Sequence, residues 1–346
     1  SRFSYRVPGT GHLARRFDAF APEVVHVHHP FMLGEAGFRR GRARGLPVVF
    51  TSHTRWERFV PGASPWLRRL AQQLPVAFAN LCDVVVAPTP TIARLLERRG
   101  VRRPVRVVPT GIDLALQRSG DRTCGRGRWQ LPVDARVVGH VGRLVPEKNL
   151  EPLLGGVARF LEVDSRRRFL LVGEGRSAGY LRQGFAERGV ADQVVMTGLL
   201  EGRALADAYA AMDVFAFTSR TDTQGIVLVE ALAAGCPVVA LDAPGARDLV
   251  DASCGVLVPA GLPLEQQVVD LTEAMESAFD RHHELSDGAR RRAERYGIEA
   301  SSEALLEIYR EAREARSRRA GRTPDDSPWA RVRRRLGAEA RLLLQK

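Results

Sequence analysis

The 346 residues, 45% hydrophobic and 27% charged, are enough for two ordinary domains with a core each, and that balance excludes a disordered or fibrous chain. No apolar run approaches the roughly 20 residues of a membrane-spanning helix, and no signal-peptide pattern opens the sequence, so the cytoplasm is the expected compartment. The net charge of +12 calls for an anionic partner (nucleic acid, a phosphorylated small molecule or an acidic lipid surface), unless it is only a solvated arginine-rich face. No zinc finger, helix-turn-helix or basic motif interleaved with aromatics occurs, which argues against nucleic acid. Cys82, Cys124, Cys236 and Cys254 are scattered without metal-ligand spacing, as expected of thiols in a reducing compartment.

The first clear strand is expected at Glu23–His28, in EVVHVH. A helix from Gly34 to about Arg44 follows, then the strand PVVFTSH, a helix from about Pro65 to Asn80, and the strand DVVVAP. The helix TIARLLERRG, stopped by Gly100, and the strand VRVVPTG complete this half. His26, His28 and His29 cluster in HVHHPF. Alternation along a strand sets His26 and His28 on one face and His29 at its end, with metal binding as the sharp alternative to a structural role. His53 closes its strand in FTSHT.

The segment from Pro109 to about Pro132, with Gly111, Gly120, Gly125 and Gly127 and little apolar period, reads as a linker. Strand and helix then alternate again: RVVGHVG, LEPLLGGVARFLE, RFLLVGEG, SAGYLRQGFAERG, QVVMTG, ALADAYAAM and DVFAF. After the centre of the chain's chemistry, described next, come the strand GVLVPAG and helices from about Leu264 to Phe279 and from Ile298 to Arg316. Such alternation predicts α/β domains with parallel, doubly wound sheets, whose ligands sit at the carboxyl ends of strands.

Thr218–Ala240 packs a loop, a helix start and a buried strand into one short run. The helix IVLVEALAAG opens after Gly225, so its unpaired N–H groups and positive dipole end lie just beyond a strand, where a phosphate is favoured. Glu230, among Val229, Ala231 and Leu232, is a poor packing residue unless it lies on the helix's wet face; Asp222 is either a turn residue or a partner to it. Arg143 at a strand end and Lys148 at a helix entry can stabilise a departing diphosphate, or merely compensate Glu147. Gly173 and Gly175 lack the third glycine of a dinucleotide fingerprint, which leaves NAD a minor alternative.

Asp222 and Glu230, acids separated by seven residues, resemble the signature of retaining glycosyltransferases of family 4, which have the GT-B fold and use nucleotide-sugar donors. The run HVGRLVPEKNL resembles the family's Gly-Arg-Leu and Lys-Asn motif. The family's first acid is usually Glu before an any-Phe-Gly context. Asp222-Thr223-Gln224-Gly225, HVHHPFMLG and PVVFTSHTRWERF instead resemble the branch that includes bacterial diacylglycerol glucosyltransferases.

The resemblance implies two Rossmann-like, doubly wound parallel-sheet domains facing each other across a cleft. Their bounds are expected at 1–115 for the acceptor side, 116–132 for the linker, 133–298 for the donor side, 299–316 for a terminal helix and 317–346 for a basic tail. The family's opening strand and Gly-rich loop are expected to be missing from this sequence. By the same resemblance Gly142, Arg143 and Lys148 hold the donor diphosphate, Glu230 accepts from the ribose, Asp222 holds sugar hydroxyls, and backbone N–H groups around Thr223, Gln224, Gly225 and Ile226 complete the cradle. His53 contacts the sugar near its anomeric centre.

A nucleotide-diphosphate sugar is the expected donor substrate, with no cofactor and no metal, since no Asp-any-Asp triplet occurs. The expected reaction is metal-independent hexosyl transfer to a lipid or glycan hydroxyl. A nucleotide-sugar epimerase and an inactive sugar-nucleotide-binding protein remain the alternatives. The tail Ser317–Lys346 is either a solvated charged end or a basic amphipathic segment on an anionic membrane, which would make the enzyme peripheral.

Overall fold

The computed structural model of the chain describes residues 10–58, 62 and 64–318. These form two compact units, one built from residues up to Val108 and from Glu303 onward, the other from Pro109 to Ser302. The basic tail, from residue 319, lies outside the described residues.

In the first unit, β1 (Val25–Val27), β2 (Val48–Thr51), β3 (Val84–Ala87) and β4 (Val105–Val107) form one parallel sheet in the order β1-β2-β3-β4. Strand order follows chain order, so among the described residues this sheet has no point where its winding reverses. Its middle strands are buried at every position because both faces are covered. Val48, Phe50, Val85 and Ala87 pack on Phe38, Phe78, Ile92 and Leu96 of the three helices between the strands. Val49, Val84 and Val86 point the other way, onto Ile308 and Ala312 of the final helix, Ile298–Ser317. The helix Pro90–Arg98 starts as its sequence dictates, with Pro90 in the first turn and the Thr89 hydroxyl accepting from the Ile92 N–H at 3.3 Å.

The second unit carries β5 (Val137–Val141), β6 (Arg168–Val172), β7 (Val194–Gly198), β8 (Val214–Phe217), β9 (Val238–Leu241) and β10 (Gly255–Val258). All pairings are parallel, in the order β10-β9-β8-β5-β6-β7. The chain winds outward from β5 to β7 and then returns to β5's other side as β8. The crevice of this doubly wound sheet therefore opens between the carboxyl ends of β5 and β8. Val137, Leu170, Phe215 and Val238 face one helix layer, while Val138, Leu171, Val214 and Val239 face the other.

The expected linker is corrected by two short helices, Leu114–Arg118 and Arg122–Arg128, capped by Asp113 and Asp121, whose carboxylates accept N–H groups of Leu116 and Cys124 at 2.9 Å each. Three of its glycines, Gly111, Gly120 and Gly125, serve close packing. A Cβ on Gly125 would stand 2.3 Å from the Asp207 carbonyl oxygen, so only glycine lets this segment lie on the helix Gly202–Ala211. Arg126 is buried there, donating to the carbonyls of Pro132 (2.9 Å), Val133 (2.6 Å) and Ala135 (3.1 Å) and to Asp213 (2.9 Å). Three further helices were not expected, Thr10–Phe20, Pro244–Arg247 and His282–Ala293.

Candidate functional site

The loops that leave β5 and β8 are stitched together at the reversal of strand order. After β5 the chain makes a single 3₁₀ turn, Pro146–Lys148, and Asn149 takes a left-handed backbone (φ 54°, ψ 54°) before the helix Leu150–Glu162. The Asn149 amide donates to the Thr218 carbonyl at 3.0 Å, and the Thr221 hydroxyl donates to the Glu147 carbonyl at 3.1 Å. Lys148 Nζ donates to both oxygens of Asp222, at 2.7 and 2.9 Å, with both side chains mostly shielded from solvent. The two charges expected to act separately are thus each other's partner, a charge-assisted bidentate contact across the crevice.

Arg143 stands beside this clasp, exposed and without an ion pair among the described residues. Its loop is braced from β6. The Gly142 N–H donates to the Val172 carbonyl at 3.0 Å and the Leu144 N–H to the Glu174 carbonyl at 2.9 Å. Gly173 has φ +133°, and a Cβ on it would lie 1.9 Å from the Gly142 carbonyl oxygen. The glycine pair that invited a dinucleotide reading thus seats the Arg143 loop against β6.

Beneath Gly142, His140 is fully buried on β5, and its Nδ1–H donates to the Ala216 carbonyl of β8 at 2.9 Å. Burial pushes its pKa down to about 4, so the ring is neutral, and its Nε2 has no partner among the described residues.

The helix Ile226–Ala233 begins past β8 as expected, but its cradle is smaller. Gly225 cannot offer its N–H, which donates to the Gly245 carbonyl at 3.1 Å. The Gln224 side chain is spent on Thr110, accepting that residue's N–H at 2.8 Å and donating to its carbonyl at 3.0 Å. Thr223 is buried beside it. Of the first-turn N–H groups, that of Leu228 is taken by the Gly225 carbonyl at 2.9 Å, while those of Ile226 and Val227 lack acceptors within the helix by geometry. One turn on, Glu230 is half-buried and its Oε2 accepts the Tyr209 hydroxyl at 2.7 Å. Burial raises the Glu230 pKa above the usual carboxylate value and the Tyr209 hydrogen bond draws it partly back. Asn149, Tyr209 and His140 escaped the sequence reading. Asn149 sits in the quoted Lys-Asn pair, whereas the other two carry no spacing signal.

His53 belongs to the first unit, just past β2, where it joins His26 and His28. The His28 and His53 rings stack at 5.1 Å between centroids, and those of His26 and His28 at 4.3 Å. Burial, then neighbouring imidazoles, hold all three below the ordinary histidine pKa. Among the described residues no group of three or more His, Cys, Asp or Glu is arranged to hold a metal ion, and no helix is long and apolar enough to cross a membrane.

Comparison with known proteins finds two family matches, Glycosyltransferase Family 4 over residues 1–116 and Glycosyl transferases group 1 over residues 135–279. The D-inositol 3-phosphate glycosyltransferase of Thermobispora bispora is 33% identical over 84% of this chain and 71% of its own. The alpha-monoglucosyldiacylglycerol synthase of Streptococcus pneumoniae is 27% identical over 72% of this chain and 58% of its own. The chain spans about two thirds of the length of the curated relatives it matches, 64% and 67% for two further ones. Among solved structures, Anabaena HepE in complex with UDP-glucose superposes with a TM-score of 0.73, covering 88% of this chain and 85% of that one at 22% identity. At that identity the likeness shows a shared fold.

Proposed function

Since the chain belongs to glycosyltransferase family 4 and has its GT-B fold of two parallel-sheet α/β domains, we propose that it transfers a hexose, with retention, from a nucleotide-diphosphate sugar to an acceptor hydroxyl. The observation that carries this reading is the Lys148–Asp222 clasp at the β5/β8 crevice, with Arg143 exposed beside it and Glu230 one helical turn away. On donor binding Lys148 exchanges the Asp222 carboxylate for the diphosphate, joined by Arg143. The released Asp222 turns to the sugar hydroxyls, so neither charge is left half-buried and alone.

Glu230, aimed by Tyr209, accepts from the ribose, and His53 contacts the transferred sugar. No side chain here is proposed as covalent nucleophile or metal ligand. The leaving phosphate assists deprotonation of the acceptor in a front-face attack. A lipid acceptor such as diacylglycerol, met at an anionic membrane surface, is supported by the HVHHPFMLG motif and by the streptococcal relative's name.

The test is a thermal-shift panel with UDP, GDP, ADP, dTDP and NAD. A nucleoside diphosphate at a hundred times its dissociation constant adds roughly 2.7 kcal/mol of stability. Selective stabilisation by one of them is expected, and it names the donor for transfer assays in which product anomers are read by NMR. Stabilisation by NAD alone, or by nothing in a cooperatively melting protein, would overturn the reading. Donor turnover that needs no acceptor would point to the epimerase.

The Glu230 role has its own signature. The ionised carboxylate accepts from a ribose hydroxyl more strongly than the protonated acid, so nucleotide affinity is full above the pKa that burial has raised and falls as pH drops through it. Tyr209→Phe removes the hydrogen bond that holds this pKa down. Calorimetry across pH should therefore show affinity about tenfold weaker and the fall beginning at higher pH.

A further inference from the structure

We infer that His28 is a positioning residue that fixes the ring orientation and tautomer of His53. The inference rests on the proposal that His53 contacts the transferred sugar. His28 Nδ1 lies 2.9 Å from His53 Nε2. A nitrogen-to-nitrogen contact of that length holds a single proton, so one ring donates and the other accepts, and choosing the tautomer of either chooses that of both.

The arrangement is anchored from below. His26 is held at both ring nitrogens, by the Tyr309 hydroxyl (2.9 Å) and by Thr51 Oγ1 (2.6 Å), and its ring lies 4.3 Å beneath that of His28 at an interplanar angle of 33°. His28 covers His53 in turn at 21°. The period-2 alternation of β1 builds this column, setting positions 26 and 28 on one face, while β2 ends at the height where residue 53 meets the upper ring. A histidine needed only for packing requires none of these shared protons.

Losing the one hydrogen bond that positions a functional histidine is worth about 10-fold in rate. With the nucleotide sugar whose nucleoside diphosphate stabilises the protein, His28→Ala should lower kcat by that factor and leave the nucleotide's dissociation constant unchanged. His28→Asn puts an amide where Nδ1 stood and should recover most of the rate. Nitrogen-15 shifts of His53 should show one tautomer in the wild type and a changed tautomer balance in His28→Ala. His53→Ala supplies the control. If it abolishes transfer while His28→Ala keeps wild-type kcat and an unaltered His53 spectrum, the positioning role is overturned and the His53 contact stands. If His53→Ala transfers at the full rate, both fall.

Discussion

Replacement of Lys148 by alanine is expected to slow sugar transfer by about 10²- to 10³-fold, the scale of losing one preorganised charge at a departing group. The loss should appear mainly in kcat, because the phosphate charge that Lys148 meets grows as the glycosidic bond opens. The ground state also suffers. Without the ammonium, Asp222 keeps a mostly shielded carboxylate with no counter-ion at 2.7 and 2.9 Å. Combining Lys148→Ala with Asp222→Asn removes that stranded charge, so the double variant should be less impaired than the two single losses multiplied, as residues in direct contact couple. Strict multiplicativity would show that the clasp plays no part in the reaction, and so would a Lys148→Ala enzyme within about threefold of wild type.

The largest stability effect is expected at Arg126. Its guanidinium satisfies three carbonyls and Asp213 at once, and Asp213 also accepts the Val137 N–H at 2.8 Å and the Arg122 guanidinium at 2.5 Å. Asp213 leads into β8 and Val137 opens β5, so this network pins the amino ends of the two strands whose carboxyl ends carry the clasp. Arg126→Ala leaves the Val133 and Ala135 carbonyls without donors, Pro132 keeping the Ala135 N–H at 3.2 Å, and a shielded carboxylate with half its counter-charge, a loss of about 3–5 kcal/mol. Urea unfolding followed by a probe in the second unit measures it. Arg126→Lys keeps the charge but not the fork of donors and should fall between. A loss under about 1 kcal/mol would mean that the network is water-accessible and dispensable.

All ten strands were legible, most of them because a strand buried on both faces reads as a short apolar run stopped by Gly, Pro or Asp, as in DVVVAP and DVFAF. The helix Arg122–Arg128 was not, since the glycines that permit its close packing are indistinguishable from those of a flexible connection. The helix His282–Ala293 hid for another reason. Its buried stripe is Leu285, Ala289 and Ala293, too small to stand out among its arginines.

At the candidate site the residue types were visible and the pairings were not. Lys148 meets Asp222 over 74 positions and Tyr209 meets Glu230 over 21, separations that leave no period in the chain. Gly225 was assigned a free N–H because its partner, the Gly245 carbonyl, comes from a turn that local patterning does not bring near.

The final helix gives the first unit an unusual biosynthetic history. Val49, Val84 and Val86 are covered by Ile308 and Ala312, and His26 is tethered by Tyr309, all within Ile298–Ser317. A ribosome working from the amino end therefore delivers the first sheet with one bare apolar face and holds it so until Pro109–Ser302 and the final helix have been made. Pro109–Ser302 emerges as a contiguous stretch and is free to condense in the meantime. The first unit is thus completed after the second, and a chain interrupted before Ala304 would leave a folded second unit attached to an exposed valine sheet, a substrate for chaperones and proteases.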